Sequence, residues 1–282
     1  NTVLNYAFIF GKLGCPAMGV RGAALATVIS AAVSMGMNMA FSYGMHLPAG
    51  ARPSEWLRQE KGFAGRFCRT VVPVIFNEGL WAVGTTMYNV FYGRMGDAAV
   101  AAMGVCTTIN DLVWVAIFAL MNATAIIVGK ALGAGERERA YLYAKRMMAG
   151  AMAAGVALGV VVIAVRWPLV NIFSGLSYQV RDKAQFILAL GAVTIWFRAL
   201  NTINIVGVLR SGGDTLFSLC LDVGTLWLVG VSSTGLAALV FHWPLEWVYA
   251  CTFLEEAVKM AVGIPHFKKK QWMNVLTEQP QG

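Results

Sequence analysis

Apolar positions along this chain come in long unbroken blocks, separated by short clusters of charge, glycine and proline. Gly22 to Tyr43, Met147 to Val165 and Val223 to Leu245 contain no Asp, Glu, Lys or Arg. A hydrocarbon core about 30 Å thick needs roughly 20 apolar residues to cross it as a helix. The pattern predicts seven full spans, at 20–43, 67–93, 99–131, 145–165, 182–209, 216–240 and 243–265. Helices are the expected form, because a helix satisfies its own backbone hydrogen bonds in lipid. Asn1 to Gly11 is apolar but too short to cross. It reads as the tail of a helix whose start lies outside the sequence, which makes the chain the second half of a larger carrier.

One long polar connection, 44–66, interrupts the series. Pro48, Gly50 and Pro53 start it as loop. From Ser54, the placing of Trp56, Leu57, Phe63 and Phe67 predicts an amphipathic helix on the inner surface. The segment reads as a linker between two bundles. Residues 1–43 then end one lobe, 67–265 form a six-helix lobe, and 266–282 are a cytoplasmic tail. Within the lobe the loops are short. Gly133–Ala134–Gly135 stops one helix, and Glu136 and Glu138 begin the next.

Composition agrees with lipid as solvent: 58% of residues are hydrophobic and 13% charged, against about 45–50% and 25% in soluble domains. The net charge of +8 then needs no nucleic-acid partner. With 44–66 placed in the cytoplasm, fifteen of the 22 Lys and Arg residues fall on the inner face, six on the outer, and Arg198 inside a span. That is a positive-inside bias, and it predicts a multi-pass protein of the plasma membrane. The five cysteines have no C-x-x-C pairing and read as reduced and inert. The three histidines lie near span ends, too scattered to suggest a metal site.

Polar residues inside the apolar blocks carry the chemistry. Glu78 is eight residues past Thr70, about 12 Å along the helix, near mid-membrane. A charge there is costly enough that it must face the bundle interior or water. One group that exchanges a cation, a proton and a cargo would use such a position, with Pro73 loosening the helix below it. Arg198 lies eleven residues before Leu209, roughly 16 Å from the inner end. The matched depths predict that Glu78 and Arg198 share one cavity. Asn201 and Asn204 follow within two turns, and Asn77 precedes Glu78. Trp81, Tyr88, Trp114 and Met121 either line an adaptable pocket for organic cations or simply pack. Glu255 and Lys259, an i,i+4 pair beside Glu256, read as the place where the last helix leaves the bilayer. Asp222 reads as solvated or paired.

Four stretches resemble one family: LNYAFIFGKLGCPAMGVRGAALATVIS (4–30), VPVIFNEGLWAVGTTMYNVFYGRMGDAAVAA (72–102), NATAIIVGKALGAGERERA (122–140) and NIVGVLRSGGDT (204–215). Together they resemble the MATE (multidrug and toxic compound extrusion) transporters. The resemblance implies twelve helices in two six-helix bundles related by a pseudo-twofold. Residues 1–11 and 20–43 would be the fifth and sixth helices and the rest the C-terminal bundle, with the N-terminal lobe as the missing partner. It implies export of small-molecule organic cations through a cleft between the lobes, with no cofactor beyond a coupling ion, Na⁺ or H⁺. These residues alone would then not transport.

In the sodium-coupled branch of that family a glutamate on the seventh helix is a cation ligand. Glu78 matches it, which makes Glu78 a possible Na⁺ ligand. The matching acid on the tenth helix is absent: the region reads Arg198–Ala199–Leu200–Asn201. With the mid-span polar and aromatic positions read above, coupling is expected at Glu78 and Asn201, and the substrate cavity at Asn77, Trp81, Tyr88, Arg198 and Asn204; the resemblance itself implies Glu78. A lipid-linked precursor flippase of the same superfamily is the competing reading. An enzyme acting on lipid phosphates is not expected, because no clustered Asp, His or Ser supplies acid–base or metal chemistry.

Overall fold

The computed structural model describes residues 1–45, 63–173 and 175–274, and the helix predicted from Ser54 and the last eight residues lie outside them. The described residues are helical without strands, as the apolar blocks predict. The chain divides into two compact units, Asn1–Gly65 and Arg66–Gly282. In the first, α1 (Thr2–Phe10) and α2 (Val20–Gly44) form a helical hairpin. The Lys12 N–H donates to the Ala7 carbonyl (3.0 Å), and the Met18 N–H to that of Phe8 (2.8 Å).

The second unit is a six-helix lobe whose successive helices are joined by short connections. It comprises α3 (Phe63–Arg94), α4 (Asp97–Gly133), α5 (Arg137–Ile172), α6 (Tyr178–Arg210), α7 (Thr215–Val240) and α8 (Leu245–Lys268). Five described helices are long and apolar enough to cross a membrane: α2, α4, α5, α6 and α7. The predicted spans 67–93 and 243–265 correspond to α3 and α8. These helices are 32 and 24 residues long but carry charged residues mid-helix. The chain is therefore an all-helical, multi-pass membrane protein. Large apolar side chains such as Leu112, Val160, Val193 and Leu228 point outward, as a lipid-facing surface requires.

Inside the lobe, apolar side chains gather into two clusters. One joins Tyr92, Met103, Ile109, Ile187, Leu188 and Val248. The other joins Val128, Leu132, Met148, Ile203, Leu209 and Phe267. Their positions along the helices place one at each end of the lobe, with a polar layer between. Helices already in lipid gain little from hiding apolar surface from one another, so close backbone packing must hold them. The buried stripe Ala140, Ala144, Met148, Ala151, Gly155 and Gly159 on α5 provides it. A methyl on Gly155 would overlap the backbone of Trp196, and one on Gly159 the Ala192 carbonyl.

Regular α geometry is interrupted in α6 and α7. The last turns of α6, Ile203–Arg210, are π-helical, and so are Leu226–Val231 and Leu236–Val240 of α7. A π turn accommodates an extra residue and re-aims the side chains after it. The tail predicted from residue 266 begins later, because α8 runs to Lys268 and the chain then folds back. Trp272 is fully buried, stacked on Phe267, which stacks on Tyr141. The Asn274 N–H donates to the Gly212 carbonyl (2.9 Å). Apolar area and a free carbonyl at this end of the bundle explain why the chain does not leave it at once.

Gly155→Leu is expected to destabilise the lobe by about 1–3 kcal/mol through overpacking. Gly150→Leu, on the same helix with open space around it, should cost little. Thermal melts of the detergent-solubilised protein check the difference.

Candidate functional site

The polar layer is organised by α8. Glu255 lies ten residues from Leu245, roughly 15 Å along the axis, deep in the span. Glu255, Glu256 and Lys259 are 7%, 8% and 5% exposed. They do not mark the bilayer exit, and Lys259 does not belong to the inner-face charges. The i,i+4 spacing of an interior pair looks the same in sequence as that of a surface pair, so the spacing alone could not tell them apart. What could have is the depth argument applied to Glu78, since three charges near the middle of a span are harder to hide than one.

Lys259 Nζ sits 2.9 Å from Asp222 Oδ1 and 3.4 Å from Glu255 Oε1. The other Glu255 oxygen accepts the Tyr88 hydroxyl (2.8 Å), and Asp222 Oδ2 accepts Asn77 Nδ2 (3.0 Å). Arg210, aimed by the π-helical end of α6, donates through Nη1 to Glu78 Oε1 (2.6 Å), while its Nη2 lies 3.6 Å from Asp222 Oδ2. A second arm begins at Glu256. Its Oε2 accepts Asn201 Nδ2 (2.8 Å), which also reaches the Glu256 carbonyl (2.9 Å). Its Oε1 lies 3.6 Å from Arg198 Nε, and that guanidinium covers the Trp114 ring at 5.2 Å. The arms meet electrostatically, since Glu256 acts on Lys259 and Arg198 on Glu255.

Four carboxyls and three bases thus share one network. Glu78 is matched by Arg210, Asp222 by Lys259 and Glu256 by Arg198. Glu255 is left with a share of Lys259 and the Tyr88 hydroxyl. Breaking one buried pair of this kind costs about 3–5 kcal/mol. Gly230, in the π-helical part of α7, leaves room for the Tyr88–Glu255 contact: a methyl there would overlap both the hydroxyl and Glu255 Oε2.

Asn77, Glu78, Tyr88, Arg198 and Asn201 all come together in this layer. Glu78 and Arg198 do not form the predicted pair. Each has a nearer partner of opposite charge, Arg210 and Glu256, which the depth argument did not consider. The Glu78 side chain is 58% exposed and sits at the rim. Asn77 and Asn204 are buried at 1% and 0%, so neither lines an open cavity; Asn204 packs into the interior beside Gly263. Trp81 is half-exposed. Asn77 Oδ1, Asn201 Oδ1 and both Asn204 amide atoms are buried without a hydrogen-bond partner among the described residues, although such groups are normally paired. Asp222, Arg210, Glu255, Glu256 and Lys259 are the residues that sequence reasoning did not place here. No cluster of three or more His, Cys, Asp or Glu residues suited to a metal ion occurs among the described residues.

A family model described as MatE matches residues 73–234, more than half of the chain. The chain belongs to the MatE family. Among curated relatives, the probable multidrug resistance protein NorM of Thermotoga maritima is 25% identical over 230 residues, covering 80% of this chain and 48% of that protein. The multidrug resistance protein MdtK of Yersinia pseudotuberculosis is 28% identical over 250 residues, with 85% and 52% covered. The chain spans about half the length of the curated relatives it matches. An outward-facing multidrug resistance MATE family transporter superposes with a TM-score of 0.79 at 19% identity, covering 95% of this chain and 59% of that one. A MOP superfamily transporter from Pyrococcus furiosus gives 0.77 at 19% identity, covering 98% and 60%. These likenesses establish the fold. Where the resemblance expects an acid on α6, this chain has Asn201, and α8 brings Glu256 to it.

Two outcomes follow. Glu78→Gln should couple to Arg210→Gln by about 0.5–1 kcal/mol and add to Arg198→Gln without coupling, read from thermal stability in double-mutant cycles. Gly230→Ala should destabilise by about 1–3 kcal/mol, with part of that loss absent in a Tyr88→Phe background, where the overlap with Glu255 remains.

Proposed function

We propose that this chain forms the C-terminal lobe of a cation-coupled multidrug exporter of the plasma membrane. Its cargo is organic cations or other small xenobiotics, and it works by alternating access together with an N-terminal lobe. The observation that carries the reading is the charge balance of the buried layer. Arg210 is drawn to Glu78 at the exposed rim (2.6 Å), so in the interior Asp222 and Glu255 share the one ammonium of Lys259, and a carboxyl without a base of its own is expensive in a low-dielectric interior. One bound proton or one monovalent cation balances it. Such a layer has two charge states of similar cost, which is what a coupled carrier needs.

Glu255 is the surplus carboxyl and the coupling residue in this reading; Glu78, at the exposed rim, connects the layer to the surface through Arg210. Asn201 holds Glu256 and does not itself titrate. Tyr88 and Arg198 with Trp114 offer the aromatic and polar surfaces nearest to the layer. The relatives named as multidrug resistance proteins support the cargo class. The competing flippase reading draws on basic residues that can meet an anionic head group. Arg198, Arg210 and Lys259 are each already matched by a carboxyl, which weighs against it.

The complete protein, reconstituted in liposomes, tests this. Efflux of ethidium should rise at least tenfold under a pH or Na⁺ gradient, and Glu255→Gln should remove that gradient response. Efflux indifferent to both gradients, or a gradient response intact in Glu255→Gln, contradicts the assignment.

A further inference from the structure

Lys259 has the most enclosed charge of the layer. The residue is 5% exposed, and its ammonium lies between carboxyl oxygens from two helices, Asp222 Oδ1 at 2.9 Å and Glu255 Oε1 at 3.4 Å. The Asp222 carboxyl and its amide partner carry further oxygens. Asp222 Oδ2 accepts the Asn77 amide at 3.0 Å and lies 3.6 Å from Arg210 Nη2. Asn77 Oδ1, on that same buried amide, has no hydrogen-bond partner among the described residues. Two carboxylates around a monovalent positive charge, with an unpartnered buried amide oxygen one residue contact away, are the ligand chemistry of a hard cation. Here the charge is attached to the chain.

We propose that Lys259 is a built-in cation: its ammonium occupies the oxygen site between Asp222 and Glu255 that a free monovalent metal ion would otherwise fill, and so bars sodium from this lobe. The inference deepens the coupling reading above and rests on it for its meaning in transport. Covalent attachment gives the ammonium an effective concentration that no dissolved ion matches. With the site filled, the exchangeable charge of the layer is left to the proton. The pairing also explains why a lysine is tolerated at this depth. Removing its side chain deprives Asp222 Oδ1 and Glu255 Oε1 of the cation they share, and a sodium ion becomes the simplest replacement.

Lys259→Met in the complete protein converts a filled site into an open one. Melting temperatures are compared in NaCl and in choline chloride at equal ionic strength, so that screening is constant. Wild-type protein should show the same value in both salts within about 1 °C. Lys259→Met should melt lower in choline and regain at least about 3 °C in NaCl, saturably, as a ligand that binds only the folded state must. Asp222→Asn combined with Lys259→Met should lose that increment. Equal responses of wild type and Lys259→Met, or an increment that survives in the double variant, overturn the proposal. If Lys259→Met does not fold in choline, Lys259→Ala prepared in methylammonium chloride or NaCl gives a second reading. Recovery in either supports the site, and recovery in neither overturns it. No gradient enters these measurements, so a failure of the coupling reading would leave their outcome intact and visible as a separate result.

Discussion

An ionised side chain in hydrocarbon must find an opposite charge or a proton, and this lobe gathers its buried charges into one layer where that demand is met, with Glu78 at the exposed rim. The demand fixes register. A slide of α8 by one turn, about 5.4 Å, would carry Lys259 away from Asp222 and Glu256 away from Asn201. The apolar clusters at the two ends could absorb such a slide with modest repacking, because helices in lipid are not held by the hydrophobic effect. The polar layer could not. It therefore plays the part that a single buried polar residue plays in a coiled coil, specifying one alignment at some expense in stability.

The same layer divides the lobe by the kind of contact that joins its helices. α5 and α6 meet backbone to backbone at Gly155 and Gly159, with no ionisable group at the contact, so charge has little direct hold on them there. α3, α7 and α8 meet through Asn77, Asp222, Tyr88, Glu255 and Lys259. Any change in the charge of Glu255 is felt at Tyr88 on α3 and at Asp222 on α7 through the shared ammonium. The π-helical turns of α6 and α7 adjoin this part of the lobe, and helices with irregular hydrogen bonding bend there at less cost.

Much of this architecture was readable from the sequence, and the reasons for what was not are specific. Spans announce themselves by length and apolarity, which are local properties. Glu78 stood out because its whole neighbourhood is apolar. Glu255, Glu256 and Lys259 did not, because an acid followed by a base four residues later also describes a solvated helix end. Arg210 adjoins a Gly-rich turn, so it read as an inner-face charge; the π-helical turns that re-aim it toward Glu78 leave no clear mark in residue types. Asp222 and Lys259 are 37 positions apart on separate helices, and their meeting is a tertiary fact. Depth alone pairs any two charges at the same level, and Glu78 was matched with Arg198 for that reason.

Asn201 shows how the layer keeps its balance. At this point of α6 the MATE resemblance leads one to expect an acid. An acid here would face Glu256 Oε2 at the 2.8 Å now spanned by the amide, adding a fifth carboxyl to three bases. An amide donates to Glu256 and adds no charge. The acid has in effect moved to α8, and α8 brings its own base with it in Lys259. Relocating a carboxyl onto the helix that also supplies an ammonium turns an ion site assembled from several helices into one that a single helix largely fills. On the proposed reading, ion selectivity in this lobe would follow from which charges α8 carries, more than from the shape of a cavity.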